Sequence, residues 1–556
     1  MRWSSAVAVL GLAPAVLLSA CGEGPPAGFS GGANVEPEAG GTAVVCALSM
    51  PDVLNPFTTP DQLTKDLRWL LYTPLVRYDS AGVQPYLARS WTFEDEQRTL
   101  VFTIRDDVRW HDGQRLTAQD VAWTVRIAAD TAYAYFGGSE FGGLRESTAR
   151  DSVTVVLRFA EPLAAGLEPF TGLAVLPRHL LESIAPADLV RAEYNRAPVG
   201  SGPYRFAGRD GAGNTSLDRV ADYPEDLGRG LLDRIVLREL PEATTMMAEL
   251  RTGGVDVCVT GSSRARDVQA SGLTAVAVLP AGVQVIPLDN AKPPFNDVRV
   301  RRALSAALNR AELAQTISPI AQPAGTFMPA GDTRWTDPSL RQPDNDSARA
   351  VLLLDSAGWR TIGPDGIRRN VAGQPLRFTI VAPQPLQNLL TVVQAQLRRA
   401  GVDAELRFME GGAFGDAVSN PDSRPAALAL TFISERFLNP DPYAELHSGG
   451  DSNLSNYRDP RVDSLVQRLR DVLPDDERAR IYRELQQRVS QDVPLLYTVF
   501  TPRVLAVGQR LQGVTVDLNG PLGNVSEWWI PASQRRRGPA ASADTSARTG
   551  SAPAGS

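Results

Sequence analysis

The side chains of this chain that could do chemistry are three histidines, three cysteines, one glycine-flanked serine and a large set of carboxylates. His111, His179 and His447 stand apart from one another, with no HExxH pair and no Cys/His spacing that would hold zinc. His111 lies in a turn at the end of a strand pattern, where hydrogen bonding to local backbone is the expected role. Gly200-Ser201-Gly202 has only a superficial likeness to a nucleophile elbow. That motif needs glycines two residues either side of the serine, and Val199 and Pro203 occupy those places. Gly137-Gly138 and Gly142-Gly143 lack the Lys-Ser/Thr ending of a phosphate loop. The carboxylates show no readable pairing. The expectation is a protein that is not an enzyme and that carries no cofactor and no metal.

The cysteines say more. One basic residue, Arg2, precedes an apolar stretch from Ala6 to Leu18. That stretch is shorter than the roughly 20 residues of a membrane-spanning helix and fits the apolar region of a secretory signal. Leu18-Ser19-Ala20-Cys21 then resembles the lipobox of bacterial lipoproteins, in which the cysteine thiol is lipidated and becomes the first residue after cleavage. The resemblance implies a signal over 1–20, an extracytoplasmic location and a membrane anchor on Cys21. Residues 21–40 are rich in Gly, Pro, Ala and Glu and read as a flexible tether. Residues 533–556 read as a disordered tail, with Arg535-Arg536-Arg537 as a solvated charge run. Cys46 and Cys258 remain, each in a short apolar run that looks like a buried strand. An exported protein permits a disulfide between them, and two buried free thiols are the alternative.

The elements that would position these residues are mixed α and β. Leu100, Phe102 and Ile104 alternate as a strand, as do Val153, Val155, Leu157 and Phe159. Thr117-Ala118-Gln119-Asp120 has capping-box spacing ahead of a helix with Val121, Val125 and Ala128 on one face. Asn296 or Asp297 caps a helix whose buried face is Val300, Leu304, Ala307, Leu308 and Ala311. A strand through Leu376, Phe378 and Ile380, a helix through Leu389, Val393 and Leu397, Gly401, and a strand from Val402 to Phe408 make a βαβ crossover and a parallel pair. A last helix with Ile481, Leu485 and Val489 stops before Pro494, and a strand follows from Leu495 to Phe500. The nearly 500 residues between signal and tail are too many for one core, so two or three lobes are expected. A net charge of −7 argues against nucleic acid as partner.

Several of these segments carry a resemblance. Leu54-Asn55-Pro56-Phe57, Pro85 through Trp91, Val108-Arg109-Trp110-His111-Asp112-Gly113, Pro198 through Tyr204, Asn290 through Leu304, Ala357-Gly358-Trp359 and Asp492-Val493-Pro494 occur in the order seen in the family 5 extracellular solute-binding proteins. These are the peptide- and nickel-binding components of ABC importers, and the match runs over about 41–532. The resemblance implies an α/β, periplasmic-binding-protein-like, two-lobed fold with an extra inserted domain. Domain I would comprise 41–78, 201–285 and 503–532, domain II the insertion 79–200, and domain III 286–502. Cys46 and Cys258 would then lie in neighbouring strands of domain I, which favours their disulfide.

The same resemblance implies a monomer that closes by a hinge around a small solute, peptide-like or oligosaccharide, and passes it to ABC permease subunits. Candidate ligand-binding residues are Ser49 and Met50 after the first strand, Trp335, and Phe432, Ser434, Glu435 and Arg436. Trp335 and Phe432 are equally readable as core aromatics. Peptide-binding members fix the ligand's amine with an aspartate in a segment that ends here at Asp441-Pro442, and the matching position is Leu438. A buried ammonium with no counter-ion is costly, so Leu438 argues against free-amine peptides unless Glu435 takes over. An oligosaccharide receptor, or an envelope enzyme or assembly factor on a borrowed scaffold, are the alternatives.

Overall fold

The computed structural model describes residues 36–536, apart from 60, 80–81, 134, 136–140, 164–165, 329–334, 421–423 and 433–439. From Pro37 onward the chain forms one compact unit. Its first strand, β1 (Thr42–Ala47), is apolar on both faces and buried along nearly its whole length, as a central strand must be. The helix α1 (Gln62–Leu71) follows, capped by the Asp61 carboxylate, which accepts from Thr64 N–H at 2.8 Å.

The chain then leaves to build a separate four-stranded antiparallel sheet. It consists of β2 (Ala88–Glu94), β3 (Thr99–Ile104), β4 (Leu144–Ala149) and β5 (Thr154–Phe159), in the order β2-β3-β5-β4. The helix α2 (Ala118–Ala129) packs on it, and its Asp120 carboxylate accepts from the Thr117 N–H at 2.8 Å and hydroxyl at 2.9 Å. The expected capping residues therefore start that helix.

On its return the chain completes the principal sheet with β6 (Tyr204–Arg209), β7 (Thr215–Arg219), β8 (Arg234–Glu239), β9 (Val257–Thr260) and the long β10 (Thr274–Pro287). Next, α3 (Val298–Ala307) is capped by Asp297, as the sequence indicates. The βαβ unit is present as β11 (Arg377–Pro383), α4 (Gln387–Arg399) and β12 (Asp403–Met409), with β11 and β12 parallel. Two short strands, β13 (Ala427–Leu428) and β14 (Leu430–Phe432), precede α5 (Asp475–Asp492) and the last strand, β15 (Leu495–Val507).

The principal sheet runs β14-β10-β15-β9-β1-β8-β7-β6, with Gln322–Pro323 also paired to β15. β1 lies parallel to both β8 and β9, whereas the other neighbours named are antiparallel. In the β1–β9 pair Cys46 faces Cys258, their Cα atoms are 4.4 Å apart, and the two sulfurs are joined in a disulfide.

Hydrophobic packing divides the unit. One large core joins β1, α1, the inserted sheet, β8 and residues after Leu505. Two others are built wholly from residues between Val283 and Phe500. Among the described residues, no helix is long and apolar enough to cross a membrane.

The C-terminal end differs from expectation. Arg535 is half-buried, and Arg536, though exposed, is bonded to the folded body. Arg535 donates to the Ile530 carbonyl at 3.0 Å and reaches Glu38 at 3.3–3.4 Å, while Arg536 donates to the Gly254 carbonyl at 2.8 Å. Beside them the fully buried Asp256 carboxylate accepts from Val44 N–H at 2.7 Å and pairs with Arg510 at 2.8 Å. A buried carboxylate and unpaired end-of-element carbonyls draw cations in, because an unsatisfied buried acceptor is costly.

Candidate functional site

Two strands carry the chain between the core that holds β1 and the cores built from 283–500. β10 and β15 pair antiparallel along almost their whole lengths, but the register shifts twice, between Val278 and Gly282 and between Gln284 and Val285, and the first break is the wider. Val278 faces Arg503 and Gly282 faces Thr501, so Leu279, Pro280 and Ala281 stand opposite Pro502 alone. A proline removes a ladder donor, and a bulge is where a strand tolerates that loss. β15 therefore continues seven residues past Phe500, where the sequence pattern placed its end. Val278 belongs to the first core and Val283 and Val285 to another, so the bulge is also where packing changes hands.

Polar contacts hold each side of the bulge. On one side, Arg503 Nη2 donates to Asp66 Oδ1 of α1 at 3.2 Å. Burial pushes the Asp66 carboxyl above its usual range, and the Arg503 guanidinium opposes that shift. On the other side, the Thr498 hydroxyl donates to the Gln284 carbonyl at 2.6 Å. Among the described residues, β14 pairs with β10 alone and stands at the sheet edge there, with Phe432 opposite Val283.

The sequence-derived site residues fall in several surroundings. Ser49 is exposed after β1, and Met50 is half-buried, its N–H donating to Glu239 Oε2 at 3.0 Å. Phe432 is half-buried between the third core and a small cluster of Val381, Leu428 and Leu454. Trp335 is 3% exposed inside that third core, its ring 5.4 Å from that of Tyr482. So the structure places Trp335 and Phe432 on one core, and Trp335 presents no open ring face. Ser434, Glu435, Arg436 and Leu438 lie outside the described residues, as does Cys21.

The histidines are better connected than their spacing suggested. His111 bonds to backbone from the other end of the insertion instead of its own turn. Its Nδ1 accepts from Gly200 N–H at 3.1 Å, so Nε2 carries the proton and donates to the Gly202 carbonyl at 3.0 Å. Burial depresses the His111 pKa to about 4, the Gly202 carbonyl opposes this, and nearby Arg205 adds to it. His179 donates to Asp112 at 2.7 Å, one residue along the same turn. Nothing in the sequence joined these residues, because each pair comes from different elements. His447 is local, accepting from Gly449 N–H at 2.9 Å and stacked on Tyr443.

Gly200-Ser201-Gly202 is a latch. Ser201 and Gly202 both donate N–H to the Leu71 carbonyl at the end of α1, at 2.9 and 3.0 Å. The Ser201 hydroxyl is buried and accepts from Thr73 N–H at 3.1 Å. A Cβ on Gly200 would stand 1.8 Å from the Leu71 carbonyl oxygen, which only glycine avoids. Among the described residues, no three His, Cys, Asp or Glu side chains converge as a metal-binding set.

Known proteins resemble this arrangement throughout. The family model described as bacterial extracellular solute-binding proteins, family 5, matches residues 82–453. The oligopeptide-binding protein AppA of Bacillus subtilis is 25% identical over 532 residues, covering 93% of this chain and 96% of its own length. The solved structure of that AppA with a nonapeptide superposes with a TM-score of 0.73 at 24% identity, over 89% of this chain and all of AppA's. The substrate-binding protein CtaP of Listeria monocytogenes superposes at 0.78 with 23% identity, over 89% of this chain and 100% of that one. These likenesses give the fold: α/β, two-lobed, of the periplasmic-binding type.

Proposed function

The chain belongs to the bacterial extracellular solute-binding proteins of family 5, and from that premise we propose that it captures a peptide-like solute by closing its lobes about a hinge and delivers it to the permease of an ABC importer. The observation that carries the reading is the β10–β15 bulge, where both connecting strands lose their register at a proline-containing point between separate cores. A hinge needs a few residues that absorb backbone rotation while the packed bodies stay rigid. Domain I (41–78, 201–285, 503–532) and domain III (286–502) are the closing lobes in this reading, and 79–200 is the inserted domain II. Ligand contacts are assigned to Ser49 and Met50 on one side and to Phe432, Ser434, Glu435 and Arg436 on the other. An edge strand such as β14 offers backbone groups to an extended ligand, which tolerates many side chains. The names of relatives support the ligand class: an oligopeptide-binding protein, and in Brucella putative ABC transporter peptide-binding proteins.

The location is extracytoplasmic, and we assign the membrane anchor to lipidated Cys21, with a monomer as the working form. A non-peptide ligand such as an oligosaccharide is the second reading, favoured by Leu438 at the position where peptide-binding members carry an amine-binding aspartate. Mass spectrometry of ligand released from the purified protein separates the two. Short peptides with free amino termini are the expected yield, and Glu435→Ala should weaken their retention. Recovery of sugars or other ligands without peptide bonds would overturn the peptide reading. In cells, Cys21→Ser should move the protein from the membrane to the soluble fraction.

A further inference from the structure

A cavity of about 310 Å³ lies against the Trp110–Gly113 turn of the inserted segment, Arg205 of β6 and the residues that follow β7. None of its lining residues belongs to β10, β14 or β15, so it is separate from the crossing of the lobes. Its walls carry two guanidinium groups, Arg109 and Arg205, and two carboxylates, Asp112 and Asp222. Their engagement differs. Asp112 accepts from His179 at 2.7 Å and from Gln114 N–H at 3.1 Å, and Arg109 spends one N–H on the Gly113 carbonyl at 3.1 Å. The exposed side chains of Arg205 and Asp222 form no hydrogen bond or ion pair with any described residue. Both line the same cavity as His111, whose protonation Arg205 disfavours and Asp222 favours. The indole of Trp110, a residue 2% exposed, lies behind this wall with its N–H buried, where it can report an occupant without touching one.

We propose that this cavity is a binding site for a small zwitterion, an amino acid or a short peptide, bound apart from the solute carried in the lobe cleft. The ligand's carboxylate takes the Arg205 and Arg109 guanidinium groups, and its ammonium takes Asp222. Paired charges of both signs in one wall suit a ligand that carries both and is neutral overall, whereas a simple anion or cation would leave one set unmatched. The volume lies at the small end of ligand pockets and excludes a long peptide. Because the walls come from the insertion and from the principal sheet, an occupant joins the two, alongside the bridge that His111 makes to Gly200 and Gly202. The site does not depend on what the lobe cleft carries.

The test is nuclear magnetic resonance of the purified protein with ¹⁵N-labelled tryptophan, which reports each of the nine indole N–H groups of the sequence except that of Trp3 where the signal is cleaved. The probes are glycylglycine, acetate and methylammonium. Glycylglycine should shift one indole resonance saturably, and that resonance should be the one lost in Trp110→Phe. Arg205→Ala and Asp222→Asn should each weaken the response by about tenfold, the expected scale for one charge-assisted contact. Both positions are exposed, so these variants keep the test decisive if Trp110→Phe does not fold. Acetate and methylammonium, each carrying half the charge pattern, should need about tenfold more or fail to saturate. The proposal is overturned if no indole resonance responds saturably to glycylglycine at about 10 mM. It is equally overturned if the response is unchanged in both Arg205→Ala and Asp222→Asn, because binding would then lie elsewhere, the lobe cleft included.

Discussion

His111 is held neutral by its surroundings: its pKa is pushed down to about 4 while both ring nitrogens are bonded to backbone at Gly200 and Gly202. In the unfolded chain the same ring titrates near 6.5. The unfolded state therefore binds more protons between those values, and the stability contributed by His111 is complete above about 6.5 and is lost as pH falls towards 4. At pH 5 the loss should reach roughly 2 kcal/mol. Urea unfolding of wild type and His111→Gln at pH 7 and pH 5 checks this, because the variant should lack that part of the pH dependence. A neighbouring glycine gives a sharper effect. Gly200→Ala forces a Cβ into the Leu71 carbonyl and should cost on the order of 3 kcal/mol or more, or prevent folding. Gly211→Ala, with open space around it, should be nearly neutral by the same measurement. At this scale the sequence was only partly legible. It showed that Gly200-Ser201-Gly202 was no nucleophile elbow, but not that Leu71 and His111 were its partners. Those contacts join residues about 90–130 positions apart, and no local pattern records them.

At the scale of elements, legibility followed periodicity. The β3 and β5 strands, the Asp120 and Asp297 caps and the β11–α4–β12 crossover all have short-range causes, and each appears where its pattern placed it. β15 failed that test because Pro502 looks like a stop. Only the facing bulge in β10 allows the strand to pass through it. The arginine that follows ties this point to α1, and the Asp66 carboxylate it meets is almost fully buried. Arg503→Ala should therefore destabilise by about 3 kcal/mol, since it strands a buried charge, and Asp66→Asn in the same chain should recover part of the loss. Denaturation midpoints of the two variants decide it. β1 and β9 are joined more firmly still. The Cys46–Cys258 disulfide closes a loop of 212 residues, for which chain entropy gives a stabilisation of about 5 kcal/mol as an upper figure. Alkylation of the non-reduced protein should find no thiol at either position, and reductant should lower the thermal midpoint.

For the molecule as a whole, family and fold were legible in the order of the motifs, since these turns and caps shape the scaffold whatever solute it binds. The ligand was not, because the proposed contacts after β1 and after Phe432 carry no periodicity in sequence that would mark them. The contacts of the C-terminal arginines were hidden for a related reason. Arg535 and Arg536 look solvated in sequence, and only the folded chain brings Glu38, Gly254 and Asp256 beside them.

That meeting of the two ends has a consequence for how the chain can be rearranged. With Arg535 bonded to Glu38, the first and last turns of the folded body leave it at one place. A short linker there would circularise the protein, and new ends opened in an exposed loop, such as Asp210–Asn214 between β6 and β7, should give a circular permutant that still folds. In such a permutant a fused reporter or a membrane anchor could be moved to another face of the receptor without disturbing either lobe.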